Sequence, residues 1–219
     1  SQLRFTNRLP VMISMAVLVR GNRSIKLLGE VVAALPAPLP RVSIVVAARN
    51  EAHGIEAALD SLLAQDYPDY GIFVVDDRSR DATPEILARA AARDHRLRVI
   101  RVDELPAGWL GKNHALDCGA RAADGAILVF TDADVVMRAD AVSRAVSHAL
   151  AARRDHVAIT PEVASPSVAL GMFMGIFTMF FTLYARPWKA PDAKSRCFIG
   201  IGAFNLVRAE VYRAVGGHR

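Results

Sequence analysis

The chain has 219 residues, of which 53% are hydrophobic, and it carries a formal net charge of +5. This length accommodates one domain with a sizeable core. The positive charge suits anionic partners such as nucleotide phosphates or acidic lipid headgroups. We expect no nucleic-acid partner, because no lysine- and arginine-rich tract with interleaved aromatic residues occurs. Two isolated cysteines, Cys118 and Cys197, match neither a disulfide framework nor a zinc motif.

The first part of the chain contains an apolar run and a proline-rich stretch. Residues 9–19 are apolar but too few to span a bilayer. Arg20, Arg23 and Lys26 follow them, as on the cytoplasmic side of a membrane anchor. The run is either the remnant of a transmembrane helix, which we favour, or a core helix. Residues 34–40 include three prolines and are predicted to be a linker at a domain boundary.

Short apolar strands alternate with amphipathic helices over residues 41–160. Thr83 is predicted to cap one of these helices, with Pro84 at its first helical position. The predicted strands are residues 41–48, 71–75, 97–102, 126–131 and 156–160, and the predicted helices begin near residues 55, 83, 113 and 140. This alternation predicts a Rossmann-like α/β fold, with a mainly parallel sheet and helices on both faces.

Charged residues follow the first two of these strands. Arg49 and Glu51 follow the first strand, and the second runs into Asp76 and Asp77. Because the carboxyl ends of parallel strands meet at one edge of a sheet, these side chains are expected to line one crevice. Each also has a simpler interpretation. An Asp-Asp pair is ordinary turn chemistry, and a glutamate suits the start of a helix.

The fourth strand is followed by two carboxylates, Asp132 and Asp134. They repel each other unless a cation joins them, and a hard divalent ion meets that need. A solvated turn is the simpler alternative. Lys112 follows Gly111 at a predicted helix entrance, where phosphate is often bound. The segment is not a P-loop, because Pro106 stands where the first glycine of that motif falls.

Taken together, these motifs resemble those of the family 2 glycosyltransferases, which have the GT-A fold. The matching segments, which begin at about residue 41, are residues 42–51, 74–79, 131–134, 202–208 and 215–217. Residues 48–52 and 106–112 look similar to membrane-associated members that act on hopanoid or carotenoid-like lipids. The resemblance implies inverting transfer of a sugar from a nucleotide-diphosphate donor, usually a UDP-sugar, to a lipid-like acceptor. It also implies Mg²⁺ or Mn²⁺ as a cofactor.

The resemblance assigns site residues by matched position. Glu51 and Asp77 are expected to contact the nucleoside, and Lys112 is expected near the nucleoside or its phosphates. Asp132 is expected near the ribose or the donor sugar, and Asp134 is expected to bind the metal with Asp132 beside it. The expected nucleotide-sugar-binding residues are Arg49, Glu51, Asp76, Asp77, Lys112 and Asp132.

The catalytic base is not identified by the sequence. Inverting members usually place it in a Glu-Asp pair downstream of the segment that matches residues 215–217, so we expect it beyond Arg219. Two alternatives stay open. One is a non-catalytic, membrane-associated module that binds a nucleotide sugar. The other is a nucleotidyltransferase, which would normally carry a glycine-rich loop with arginine or lysine after the first strand.

Val168–Ala185 is a stretch of 18 residues without a charge. It is a membrane span, an in-plane membrane helix, a buried core helix or an acceptor-binding wall, and Gly171 and Gly175 weaken the first alternative. We favour a helix at the cytoplasmic face of the membrane that helps to receive a lipid acceptor. The predicted domains are a membrane-proximal segment with a linker (1–40), a nucleotide-sugar-binding core (41–160) and an acceptor-side segment (161–219).

Overall fold

The computed structural model describes residues 18–35, 37–162, 167–192 and 194–219. Its strands are β1 (Val42–Ala48), β2 (Tyr70–Asp77), β3 (Leu97–Val102), β4 (Ile127–Asp132), β5 (His156–Ala158) and β6 (Asn205–Arg208). Its helices are α1 (Ile55–Leu63), α2 (Thr83–Arg93), α3 (Gly111–Ala122), α4 (Ala141–Ala151), α5 (Val168–Ala185) and α6 (Ala209–Ala214). Residues 18–23 are also helical, and short 3₁₀ turns occur at Leu28–Glu30 and Pro187–Lys189.

The strands that the structure describes form one sheet in the order β3-β2-β1-β4-β6-β5. β3, β2, β1 and β4 are parallel neighbours, whereas β6 is antiparallel to β4 and β5 is antiparallel to β6. The strand order reverses between β1 and β4. This is the topological switch point at which open α/β sheets bind ligands, outside the carboxyl ends of the strands.

The central strands are apolar along their length because helices cover both of their faces. On one face, Ile44 and Val74 pack in a core with apolar side chains of α1, α2 and α4. On the other face, Val45 and Phe130 pack with Leu116 of α3 and with α6. The predicted α/β fold, with a mainly parallel sheet and helices on both faces, is confirmed.

The predicted role of Thr83 as a helix cap is wrong. α2 begins at Thr83 itself, and its cap position, Ala82, makes no side-chain hydrogen bond. Instead the Asp81 carboxylate accepts a hydrogen bond from the Thr83 backbone N–H at 3.0 Å. Because Asp81, two residues earlier, accepts from the Thr83 N–H, the Thr83 hydroxyl can accept a hydrogen bond from another loop.

The chain divides into two compact units. The sheet unit comprises residues 28–161 and 201–219 and contains β1–β6. Its first residues pack on α4. The Arg144 guanidinium donates to the Gly29 carbonyl at 2.8 Å, and the Ala34 backbone N–H donates to the Ser147 hydroxyl at 3.0 Å. The domain limits at residues 40 and 160 stay predictions.

The apolar unit comprises the described residues within 1–27 and 162–200. Its main element is α5. Among the described residues, one helix, Val168–Lys189, is long and apolar enough to cross a membrane by length and composition. Its most apolar 18-residue window has a mean hydropathy of 1.8, and only 6% of that window is buried. This exposure argues against the core-helix alternative for residues 168–185.

Candidate active site

A cavity of about 370 Å³ lies at the switch point, outside the carboxyl ends of β1, β2 and β4. The start of α3 forms another part of its wall. The residues that line it are Ala47, Ala48, Arg49, Glu51, Asp77, Gly111, Lys112, Asp132, Ala133 and Asp134. The cavity therefore brings together nearly all of the charged residues expected at the site.

The loop after β1 carries Arg49 and Glu51, and hydrogen bonds to the loop after β2 hold it. Asn50 adopts the left-handed conformation with φ of 57°. Its N–H donates to the Ser79 hydroxyl at 3.0 Å, and its side-chain oxygen accepts from the Arg80 N–H at 2.8 Å. These reciprocal bonds orient both loops around the cavity.

A second bond fixes Glu51 directly. Its backbone N–H donates to the hydroxyl of Thr83, a fully buried residue, at 2.8 Å. The same hydroxyl forms a hydrogen bond with the Asp81 carboxylate and lowers the pKa of Asp81. Thr83 therefore links the starts of α1 and α2 behind the cavity wall.

The side chains of Asp76 and Asp77 lie in different environments. Asp77 lines the cavity, and the Arg78 guanidinium holds its carboxylate by two hydrogen bonds of 2.8 and 3.0 Å. The buried Asp76 instead accepts the Ser79 backbone N–H at 3.1 Å and faces Arg101 at 3.7 Å. Asp76, although expected at the site, is not among the residues that line the cavity.

The fourth strand contributes Asp132 and Asp134 from the same edge. The Lys112 ammonium, in the first turn of α3, contacts the Asp132 carboxylate. Asp134 lies in the turn that follows β4, and its side chain is exposed. The Thr131 hydroxyl anchors the end of β4 by donating to the Ala203 carbonyl at 2.7 Å.

The donor set at this edge fits a hard divalent ion. Among the described residues, no group of three or more His, Cys, Asp or Glu side chains is placed to hold a metal. Mg²⁺-type ions, however, are commonly held by one or two carboxylates, with substrate phosphates and water supplying the other oxygens. Asp132 and Asp134 meet that requirement.

Two glycines of the site were not identified from sequence. A Cβ on Gly111 would lie 2.8 Å from Asp77 Oδ2 and 3.2 Å from an Arg78 nitrogen. A Cβ on Gly202 would lie 2.9 Å from Asp132 Oδ2. Both positions allow the backbone to approach a carboxylate closely, and single-sequence patterns carry no signal for such a contact.

A packed cluster lies behind β4, near the end of the chain. The Tyr212 hydroxyl pairs with His218 Nδ1 at 2.6 Å, and the His218 ring packs edge-on against Phe130. Burial lowers the pKa of His218 and raises the pKa of Tyr212 to about 12. The sequence motifs gave no reason to expect this cluster.

The family model for "Glycosyl transferase family 2" matches residues 43–216, which include every residue that lines the cavity. The chain belongs to glycosyl transferase family 2. This confirms the resemblance stated from the motifs. Members of the family are glycosyltransferases, and the switch-point cavity lies within the matched region.

Several named proteins are similar to parts of the chain. A beta-monoglucosyldiacylglycerol synthase of Nostoc sp. is 38% identical over 104 residues, covering 47% of this chain and 22% of that protein. The succinoglycan biosynthesis protein ExoO of Rhizobium meliloti is 39% identical over 114 residues, covering 52% of this chain and 31% of that protein. The matched region spans about a fifth to a third of the length of these relatives.

Solved structures agree with the GT-A fold. A mannosyltransferase of Pyrobaculum calidifontis, in complex with GDP-Man and Mn²⁺, superposes with a TM-score of 0.68 at 26% identity, covering 94% of this chain and 55% of that one. TarS of S. aureus (residues 1–349) in complex with UDP-GlcNAc has a TM-score of 0.57 at 22% identity, covering 80% of this chain and 47% of that one. The similarity to TarS concerns the fold alone.

Proposed function

We propose that this chain is the donor-binding part of an inverting, metal-dependent glycosyltransferase that moves a sugar from a nucleotide diphosphate, UDP in the first instance, to a lipid acceptor. The observation that carries the proposal is the convergence of Asp77, Lys112, Asp132 and Asp134 on one cavity at the switch point. Family membership favours glycosyl transfer over the nucleotidyl transfer that the sequence left open.

The nucleoside end of the donor belongs beside β1 and β2. Asp77 is suited to accept hydrogen bonds from a base or ribose, because Arg78 already holds its carboxylate in one orientation. Glu51 offers a second acceptor on a loop whose backbone is anchored to Thr83. Arg49 contributes a positive charge at the same wall.

The diphosphate end belongs between α3 and β4. Lys112 lies at the amino terminus of α3, where the helix dipole and its ammonium both favour a phosphate. Asp134, with Asp132 beside it, would hold Mg²⁺ or Mn²⁺. When bound, the ion would stabilise the negative charge that develops on the leaving diphosphate. The complex of the similar mannosyltransferase with GDP-Man and Mn²⁺ supports a metal-dependent donor.

The lipid acceptor is proposed from two observations. One of the relatives is named for monoglucosyldiacylglycerol, which is a glycolipid. The apolar unit also exposes a long uncharged helix, α5, which suits a membrane surface. We place the enzyme at the cytoplasmic face, because Arg20, Arg23 and Lys26 follow the first apolar run.

The proposal is tested by isothermal titration of UDP with and without Mn²⁺. We expect Mn²⁺-dependent binding in the natural chain and its loss in Asp134→Ala, with Asp60→Ala on the exposed side of α1 as the matched control. Parallel titrations with GDP and ADP identify the base. UDP binding that is unaffected by Mn²⁺ and by Asp134→Ala would contradict the proposed donor site.

A further inference from the structure

Residues 162–200 of the apolar unit are inserted in the chain between β5 and β6, two neighbouring strands of the sheet. The chain leaves the sheet after β5 and returns at β6, and these strands pair antiparallel. The Ile159 backbone N–H donates to the Phe204 carbonyl at 3.1 Å, just beyond the paired strands. The two ends of the insertion are therefore hydrogen-bonded neighbours, so both must start on the same side of any membrane.

The main helix of this insertion lacks a polar face. Phe173, Phe177 and Phe180 are 63%, 54% and 62% exposed, and Thr182 is its one buried residue. The Thr182 hydroxyl donates to the Thr178 carbonyl at 2.6 Å, so it needs no partner outside the helix. A helix that is apolar all round belongs in an apolar medium rather than on the surface of a soluble protein.

The segment that follows α5 is unsuited to cross a bilayer. It carries five charged residues: Arg186, Lys189, Asp192, Lys194 and Arg196. The eight residues from Cys197 to Phe204 would reach roughly 26–29 Å when fully extended, against a hydrocarbon core of about 30 Å. Residues 195–200 have no helix or strand, so in lipid their backbone groups would lack hydrogen-bond partners. If α5 crossed the membrane, the chain would have no route back to β6.

A contact between Gly21 and Trp188 joins the end of α5 to the N-terminal helical turn. A Cβ on Gly21 would lie 2.3 Å from the Trp188 ring, so the indole packs directly against the Gly21 backbone. In sequence, Arg20 and Arg23 lie within two residues of Gly21, and Lys189 follows Trp188. Tryptophan is enriched at the headgroup level of membranes, where its ring is in apolar surroundings and its N–H is wet.

The charges of the apolar unit are strongly biased. Its described residues contain seven cations and two acids, Glu162 and Asp192. The cations, which we call the basic collar, are Arg20, Arg23, Lys26, Arg186, Lys189, Lys194 and Arg196. All seven are exposed, and in the described part of the chain none forms an ion pair. Such a collar suits anionic headgroups.

We propose that α5 enters one leaflet of an anionic membrane without crossing it, with both of its ends on the same face and the basic collar and Trp188 at the headgroups. This deepens the proposed function, since it states how the enzyme would reach a lipid acceptor. Because this membrane topology is inferred from strand pairing, side-chain exposure and charge, it can be tested in the absence of a nucleotide-sugar donor.

Cysteine labelling tests the sidedness. In a Cys118→Ser, Cys197→Ser background, one new cysteine is placed before α5 (Glu162→Cys) or after it (Ala190→Cys). Sealed inside-out vesicles from expressing cells are treated with a membrane-impermeant maleimide before and after detergent. We expect both positions to label to the same extent before detergent. If one position labelled only after detergent, α5 would cross the membrane and the proposal would fail.

Tryptophan fluorescence tests the depth and keeps both native cysteines. The sequence has two tryptophans, so Trp109→Phe leaves Trp188 as the reporter. With vesicles of equimolar phosphatidylcholine and phosphatidylglycerol, we expect a blue shift and stronger quenching by lipids brominated near the headgroup than near the chain end. Lys189→Gln with Lys194→Gln should weaken partitioning roughly thirtyfold.

Two results would overturn the proposal. One is Trp188 emission that is unchanged by vesicles. The other is a shift that depends on protein concentration alone, which would assign α5 to a contact between two copies of the chain. A protein that labels as expected but does not bind UDP would contradict the donor site and leave the membrane topology standing.

Discussion

The ammonium group of Lys112, in the first turn of α3, contacts the carboxylate of Asp132 at the end of β4. The two carboxylates after β4 are therefore not equivalent. Asp132 has a cationic partner, whereas Asp134 is exposed two residues further on. This asymmetry supports the proposed placement of the metal mainly on Asp134 and of the phosphate near Lys112.

Replacing Lys112 should weaken diphosphate binding. Lys112→Gln removes the charge that we place at the phosphates, and a hydrogen bond to a charged group contributes about 1.5–3 kcal/mol. Because the Lys112 side chain is half-exposed, we expect the lower end, a rise of roughly tenfold in the Kd of UDP. Titration calorimetry of UDP in the presence of Mn²⁺ measures this Kd, and Lys194→Gln is the control. Equal Kd values in the two variants would contradict the assignment.

Adding a single methyl group at Gly111 should separate binding from stability. In Gly111→Ala the new Cβ meets Asp77 and Arg78 at 2.8 and 3.2 Å, so their ion pair must shift within the cavity wall. Alanine favours a helix at least as well as glycine does, so the free energy of unfolding should change by less than about 1 kcal/mol. We expect UDP affinity to fall while the thermal midpoint is retained.

The control for this substitution is Gly29→Ala, where nothing lies within 4 Å of the new Cβ. Normal UDP affinity in Gly111→Ala would show that the Asp77–Arg78 pair does not need its present position.

The hydrogen bond from the Glu51 backbone N–H to the Thr83 hydroxyl should contribute both to stability and to UDP binding. Thr83→Val keeps the shape of the side chain but leaves the Glu51 backbone N–H without its acceptor. An unsatisfied buried donor costs about 1–3 kcal/mol. We expect the free energy of unfolding, measured in urea, to fall by that amount, and UDP to bind more weakly. Thr160→Val, at an exposed position, is the matched control, and identical unfolding of the two variants would contradict the role.

Acid should destabilise the fold in part through His218. Burial holds its pKa below the ordinary value, so the unfolded chain takes up a proton more readily than the folded one. The stability associated with neutral His218 is complete above the unfolded pKa of about 6.5 and is lost as the pH falls through the folded pKa. We expect the thermal midpoint to fall less steeply below pH 6.5 in His218→Asn than in the natural chain.

The control for the pH series is His53→Asn on an exposed side chain. Parallel pH slopes in the natural chain and in His218→Asn would rule out a contribution from His218.

Much of the fold was predictable because its signals are local. Apolar runs such as 126–131 end in charged residues, and a parallel sheet places those ends at one edge whatever the detailed packing. The positions of Glu51, Asp77 and Asp132 in one cavity follow from that rule. The family motifs were recognisable for the same reason, since each lies in a short segment at a strand end.

The pattern of strands and helices did not indicate which of two adjacent aspartates faces the cavity; the family resemblance singled out Asp77, and the tertiary structure supplies the physical reason. Asp76 and Asp77 point to opposite faces because side chains alternate along a strand. Which one meets the cavity depends on the position of β2 between β1 and β3, where Asp76 pairs with Ala48 and Asp77 with Val102. A single sequence contains no information on that register.

The sequence by itself determined the alternation of strands and helices, the charged strand ends and the uncharged length of residues 168–185, because each depends only on neighbouring residues. Tertiary structure decided the close approach of Gly111 to Asp77, the link from Thr83 to Glu51, and the return of the chain at Phe204 beside Ile159. Those contacts join residues far apart in the chain, and their geometry exists only after the sheet has formed.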